Sequence, residues 1–188
     1  MTCGLTPATC LCATLPRLRF ATPLAIVQHN RERHKPTNTG RLFARVVESA
    51  ALIRYGFPGE AWEPGPLADP SIEWVLLFPR KGGPEFQSSG RRVGFVVLDG
   101  TWSQASRMSR RVPIVRDLPC VALPPGPPSI WKVRTQRDER GMSTYEAATR
   151  ALELTEGAEA VAPLREAFAR VTARILFLKG RRPTLDVL

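Results

Sequence analysis

Histidine is scarce in this chain: there are two in 188 residues, His29 and His34, close together in sequence. No G-x-S-x-G turn is present either, so a serine-hydrolase triad has little to form from. G-x-G-x-x-G and G-x-x-x-x-G-K-[ST] are both missing, which argues against a dinucleotide-binding Rossmann enzyme and a P-loop NTPase. No apolar run approaches the ~18 residues that a membrane span requires. The N-terminus lacks a positively charged lead, and Pro7 and Pro16 interrupt its apolar stretch, so no signal peptide is expected there. Leu5 to Cys10 only faintly suggests a lipoprotein site, with no charged residue before it. The chain reads as cytoplasmic, where thiols are expected to be structural or metal-binding, not disulfide-bonded. Acidic residues are in deficit, 17 against 27 lysines and arginines, which leaves a net charge of +10 and a pI near 10.5. That excess suggests a polyanionic partner, nucleic acid above all; the plain alternative is a solvated basic surface.

What is present fits one domain of ordinary size, with 43% apolar residues to build a core. The most informative stretch is Asp99-Gly100-Thr101-Trp102. It follows the apolar strand Val93–Leu98 and precedes a basic helical segment. A carboxylate at the carboxyl end of a buried strand sits where open α/β sheets hold their ligands.

Further strands are expected at Leu24–Gln28, Trp74–Phe78 and Cys120–Leu123. Ile130 to Arg134 alternates and predicts a strand with a basic face. Thr37 to Gly40 offers caps for a helix that the apolar spacing carries to about Gly56. Another helix is expected after Thr101. Ser143, with Glu146 at the capping-box position, opens a helix through Leu154. Pro163–Phe177 forms a last one, and a basic tail from Lys179 closes the chain. Strands alternating with helices predict an α/β fold with a mainly parallel sheet and helices on both faces.

Several residues invite chemistry. Cys3, Cys10 and Cys12 give C-x6-C-x-C, either three of the four ligands that structural zinc prefers or simply free thiols. Cys120 lies far away in an apolar run. His29 is either an acid/base or substrate-orienting group or a plain loop histidine. The helix starts at Asn38–Thr39 and Ser143–Thr144 attract a carboxylate or phosphate, or are ordinary caps. Arg107, Arg110, Arg111, Arg116, Lys132, Arg134 and Arg137 form a run of nearly one sign around the Asp99 segment, which suits phosphate contacts. Trp102 is placed either to stack on a base or to fill the core.

Order and spacing make these elements specific in combination. The chain resembles the DTW-domain family of tRNA-uridine aminocarboxypropyltransferases, named for the D-x-T-W motif found here as Asp99-Gly100-Thr101-Trp102. The leading cysteines, H-x-R-E at His29, Arg31 and Glu32, and N-T-G-R-L at Asn38–Leu42 run in the family's order. Leu77-Phe78-Pro79, the basic W-x-x-R segment and S-T-x-E-A at Ser143–Ala147 complete the match, which covers about residues 3–155. Two departures stand out. The family begins C-x2-C-x6-C-x-C, and its first cysteine would fall just before Met1. Asn30 stands where proline is common.

The resemblance implies a SPOUT-like fold with a C-terminal knot, preceded by a Cys-rich segment over residues 1–20, with the DTW domain over 21–188. It implies transfer of the 3-amino-3-carboxypropyl group of S-adenosylmethionine to N3 of a tRNA uridine, with methylthioadenosine leaving. Asp99, Thr101 and Trp102 would be catalytic, Asp99 as acceptor of the N3 proton. Phe78, Pro79, Asn38, Thr39, Ser143, Thr144 and Glu146 would bind the donor. His29, Arg31, Arg41, Arg107, Lys132 and Arg134 would hold tRNA, and Cys3, Cys10 and Cys12 a zinc ion. No obligate protein partner is evident. A SPOUT-type RNA methyltransferase and a non-catalytic, zinc-stapled RNA-binding module are the competing expectations.

Overall fold

A computed structural model of the chain describes residues 3–79, 83–87, 92–133 and 141–181. Five parallel strands form its centre: β1 (Leu24–His29), β2 (Ala50–Tyr55), β3 (Glu73–Leu77), β4 (Val93–Asp99) and β5 (Cys120–Val121), in the order β2-β1-β4-β3-β5. The continuous apolar runs of β1 and β4 are those of strands covered on both faces, and every residue of β4 is buried. Four helices accompany them: α1 (Thr39–Val46), α2 (Trp102–Arg111), α3 (Thr144–Glu156) and α4 (Ala158–Leu178).

The pleat of each strand divides the core in two. Ile26, Val75, Phe95 and Val97 face α1, α3 and α4. Val27, Leu76, Val96 and Leu98 face the other way, onto Ala105 and Met108 of α2. Helices therefore cover both faces of a wholly parallel sheet, as the alternation of elements predicts.

Aromatic rings organise the larger half. Trp131 stacks on Phe168 at 5.3 Å between centroids, Phe168 on Tyr145 at 4.5 Å, and Tyr145 meets the edge of Phe43 at 5.2 Å. The Tyr145 hydroxyl donates to the Leu164 carbonyl at 3.0 Å, and burial pushes its pKa far above the ordinary tyrosine value. The N-terminal stretch joins the same core through Cys3, Leu5 and Leu15. It is pinned by Leu18, whose amide donates to the Val46 carbonyl and whose carbonyl accepts from Glu48.

Two expected elements are corrected. The helix predicted to reach Gly56 ends at Val46, because Val47 turns extended and the chain returns as β2 beside β1. The apolar spacing of Val46, Val47, Ala50, Ala51 and Ile53 satisfied a helical period, but a parallel ladder with β1 was the stronger partner. The predicted strand from Ile130 forms no ladder over its described part, residues 130–133. Its alternation is real, with Trp131 and Val133 buried and Ile130 and Lys132 exposed. The anchor is local: the Ser129 hydroxyl oxygen accepts from the Trp131 amide, and Glu146 accepts from the Ile130 amide. A smaller difference lies in α4, which starts at Ala158, ahead of the expected Pro163. Among the described residues, no helix is long and apolar enough to cross a membrane.

Phe168, 2% exposed between two rings, sets the first prediction. Phe168→Ala should lower unfolding free energy by about 3–5 kcal/mol, read as a fall in the urea midpoint. A midpoint near wild type would mean that the stack can collapse without cost.

Candidate ligand crevice at the carboxyl edge of the sheet

Adjacent strands β1 and β4 send their chains in opposite directions. From β1 the chain runs through α1, on one face, out to edge strand β2; from β4 it enters α2, on the other face, and goes on to β5. Divergence of this kind opens a crevice beyond the carboxyl ends of the two strands. Asp99 ends β4 there, in register with Gln28 of β1.

Asp99 is 3% exposed, and three side chains donate to it. Asn38 Nδ2 reaches Oδ2 at 2.6 Å, Gln28 Nε2 reaches the same oxygen at 3.1 Å, and Thr144 Oγ1 reaches Oδ1 at 2.8 Å. Asn38 is the N-cap of α1, its Oδ1 accepting from the Arg41 amide at 2.7 Å and from Gln28 at 3.2 Å. Thr144 is the first residue of α3, after the Ser143 cap. The carboxylate thus lies against the starts of two helices, whose positive ends favour an anion. Among the described residues no Lys or Arg pairs with it. Neutral donors and helix dipoles hold this charge, which leaves the crevice electrostatically receptive to a cationic ligand.

Of the three residues expected to be catalytic, only Asp99 is buried in the hub. Thr101 caps α2 in a reciprocal capping box with Gln104. Trp102 is 47% exposed and tilted against Phe78 at 6.0 Å, so the core-packing reading of this ring is excluded. Phe78 and the exposed Pro79 follow β3 at the same edge. Among the expected donor-binding residues, Asn38 and Thr144 touch Asp99, and Thr39 is buried beside them in the first turn of α1. Ser143 and Glu146 form the other capping box. Glu146 also accepts from the Ser129 hydroxyl at 2.7 Å and the Ile130 amide at 2.8 Å, so it binds the preceding loop to the start of α3.

The basic residues separate into two groups. Arg31, Arg107 and Lys132 are exposed. Arg41 is partly buried, and its guanidinium donates to the carbonyls of Arg33 at 2.7 Å and Lys35 at 3.1 Å, bracing the loop before α1. Arg134 and Arg137 lie outside the described residues. His29 Nδ1 accepts from the Arg31 amide at 3.2 Å. Burial first, and then the Arg31 charge, holds its pKa below the ordinary 6.5, so the imidazole is neutral at pH 7. Glu32, from the same motif, is 2% exposed and ion-paired with Lys35.

Cys3, Cys10 and Cys12 come together, their Sγ atoms all within 4.8 Å of one another and those of Cys3 and Cys10 at 3.6 Å. Tetrahedral zinc with bonds of about 2.3 Å needs sulfur atoms about 3.7 Å apart, so the cluster is close to ligating geometry. The Cys12 amide hydrogen bond lowers the Cys10 pKa, but hydrogen bonds with the Cys12 and Cys3 thiols outweigh it and leave it raised. Cys120 stands apart, donating to the Phe78 carbonyl at 3.0 Å.

Two residues of the hub escaped the sequence reading as site residues. Gln28 could have been singled out as the one uncharged polar side chain ending an otherwise apolar strand. Gly40 lies so close to Asp99 that a Cβ there would stand 2.8 Å from the carboxyl carbon. Gly→Ala within a helix ordinarily gains about 1 kcal/mol. Gly40→Ala should instead cost about 1–3 kcal/mol by overpacking, visible as a lower thermal midpoint. A midpoint at or above wild type would show that the carboxylate can move aside freely.

The DTW domain family model matches residues 1–176. The chain is 28% identical over 174 residues to a Macaca fascicularis protein named tRNA-uridine aminocarboxypropyltransferase 2, an alignment covering 82% of this chain and 55% of that protein. The chain thus spans about half the length of this curated relative. No solved structure matches it significantly. A family match across nearly the whole chain, the D-x-T-W motif at Asp99–Trp102 included, means that the chain belongs to the DTW-domain family.

Proposed function

We propose that the chain transfers the 3-amino-3-carboxypropyl group of S-adenosylmethionine to N3 of a uridine in tRNA, releasing methylthioadenosine, and that it does so in the cytoplasm. The observation that carries this reading is Asp99: a buried carboxylate without a cationic partner among the described residues, at the switch point between β1 and β4. A sulfonium donor is the kind of cation such a crevice attracts. The reading includes a SPOUT-like fold with a C-terminal knot, and a DTW domain over residues 21–188 after a Cys-rich segment.

Uridine N3–H must give up its proton before N3 can act as a nucleophile. Asp99 accepts that proton at Oδ1, where the Thr144 hydroxyl is its single side-chain donor among the described residues. Thr144 is half-buried while Asp99 is 3% exposed, so its hydroxyl passes the proton inward. N3 then forms a bond to the carbon carried by sulfur. The C–S bond breaks with its electron pair going to sulfur, and a neutral thioether leaves. The rest of the rate enhancement is alignment. Phe78, Pro79 and Trp102 hold the flat part of the donor, and the helix starts at Asn38–Thr39 and Ser143–Thr144 its carboxylate. Thr101 and Glu146 keep α2 and α3 in place through their capping boxes. His29, Arg31, Arg107, Lys132 and Arg134 contact the RNA; Arg41 supports them by bracing the loop.

Purified protein, S-adenosylmethionine and unmodified tRNA, analysed by mass spectrometry, test the reaction. Aminocarboxypropyluridine and methylthioadenosine are expected together, and Asp99→Ala should reduce them at least a hundredfold. S-adenosylhomocysteine with a methylated base would replace this reading by methyl transfer. RNA binding with neither product would leave a binding module.

Cys3, Cys10 and Cys12 supply three ligands to a structural zinc ion that ties the N-terminal segment to the core. Elemental analysis should find about one zinc per chain, lost in Cys10→Ala. Metal-free protein with an unchanged thermal midpoint would remove the ion from the proposal.

A further inference from the structure

Edge strand β2 carries a second constellation at the carboxyl edge. Gly56, at φ +73°, turns the chain sharply after Tyr55, and Phe57 and Trp62 fold around a cavity of about 200 Å³. Tyr55 and Trp62 meet edge to face at 5.6 Å. Arg33 and Arg54 lie over the Phe57 ring at 5.7 Å and 5.6 Å. All three rings are half-buried, and the buried Trp62 indole N–H has no hydrogen-bond partner among the described residues. A buried indole N–H usually finds a partner, and a guanidinium on a ring face occupies the position that a stacked base competes for.

The location is as informative as the composition. Tyr55 is in register with His29, and Gln28 with Asp99. β2 and β4 stand two strand spacings apart, roughly 10 Å at about 4.8 Å each, with Tyr55 and Trp62 packed on the α2 face of the sheet and the Asp99 carboxylate meeting α1 and α3 on the other. A strand that crosses the carboxyl edge of the sheet from the crevice would reach the cavity.

We infer that this cavity is a second RNA subsite, taking an unpaired nucleobase of the strand that carries the modified uridine. The inference rests on the RNA-modifying reading above. The base stacks on Phe57, displacing one guanidinium from the ring face, and the Trp62 N–H donates to a base oxygen or nitrogen. Arg33 and Arg54 take the adjoining phosphates. Arg54 already holds Glu60 at 3.5 Å, with both side chains about half exposed. Phosphate must displace that carboxylate, a small cost for an exposed pair. A protein ligand is less suited, because two cations over one ring beside a narrow cavity favour a flat anionic partner.

Full-length wild type, Phe57→Leu and Phe57→Tyr are compared by equilibrium binding to unmodified tRNA at fixed salt, with circular dichroism as the check on folding. Phe57→Leu keeps the apolar bulk but loses the π face. It should weaken tRNA binding about five- to hundredfold, and Phe57→Tyr should restore it to within about twofold. In transfer kinetics the KM for tRNA should rise with little change in kcat or in the KM for S-adenosylmethionine. Ultraviolet crosslinking should attach a nucleotide to the peptide spanning residues 54–62. Wild-type affinity in Phe57→Leu overturns the subsite and hands this face to a protein partner. So do crosslinks confined to other peptides. Because binding requires no chemistry, the two readings fail separately. Phe57-dependent binding without transfer removes the reaction and keeps the subsite. Transfer with Phe57-independent binding removes only the subsite. A wild-type chain that does not bind tRNA removes both.

Discussion

The carboxylate of Asp99 is the constraint to which the carboxyl edge is built. A charge buried this deeply, without a cationic partner among the described residues, survives only if neutral donors and dipoles surround it. Asn38, Gln28 and Thr144 do so. Their positions tie together β1, β4 and the starts of α1 and α3, elements widely separated in sequence. Gly40 is part of the same constraint, since any larger residue would press on the carboxylate. Removing one donor would leave the charge short of a partner, a far greater loss than the value of an ordinary hydrogen bond.

Around this hub the polar residues divide into those that hold and those that are presented. Thr101, Ser143, Gln104 and Glu146 spend their side chains on capping boxes, and Arg41 spends its guanidinium on backbone carbonyls. Trp102, Arg31, Arg107 and Lys132 are exposed to solvent. A site of this design keeps its geometry because its precise contacts lie on helix starts and strand ends, while the long exposed cations remain free to meet a partner. Such exposed cations act as a field on a polyanion more than as fixed ion pairs.

The N-terminal segment extends this logic. It has almost no regular structure of its own, yet it contributes Cys3, Leu5 and Leu15 to the core above α1, α3 and α4. Its three thiols converge. The zinc ion proposed for them would close a loop that apolar contacts alone hold weakly.

Local chemistry was legible in the sequence. The apolar runs marked β1, β3 and β4; Asn38, Thr101 and Ser143 marked helix starts; Asp99 stood out as a carboxylate closing a buried strand. These are short-range properties, written in a few consecutive residues. Tertiary structure decided the rest. Residues 50–55 pair with β1 instead of continuing α1, because an apolar spacing of that length fits either period until a partner strand is present. The alternation at 130–133 is produced by anchors on Ser129 and Glu146, not by a ladder. The gathering of Gln28, Asn38 and Thr144 on one carboxylate depends on the four crossovers that join the five parallel strands, and no local pattern encodes a meeting between residues so far apart. The sequence by itself determined which side chains were available for chemistry; long-range packing decided which of them share a site.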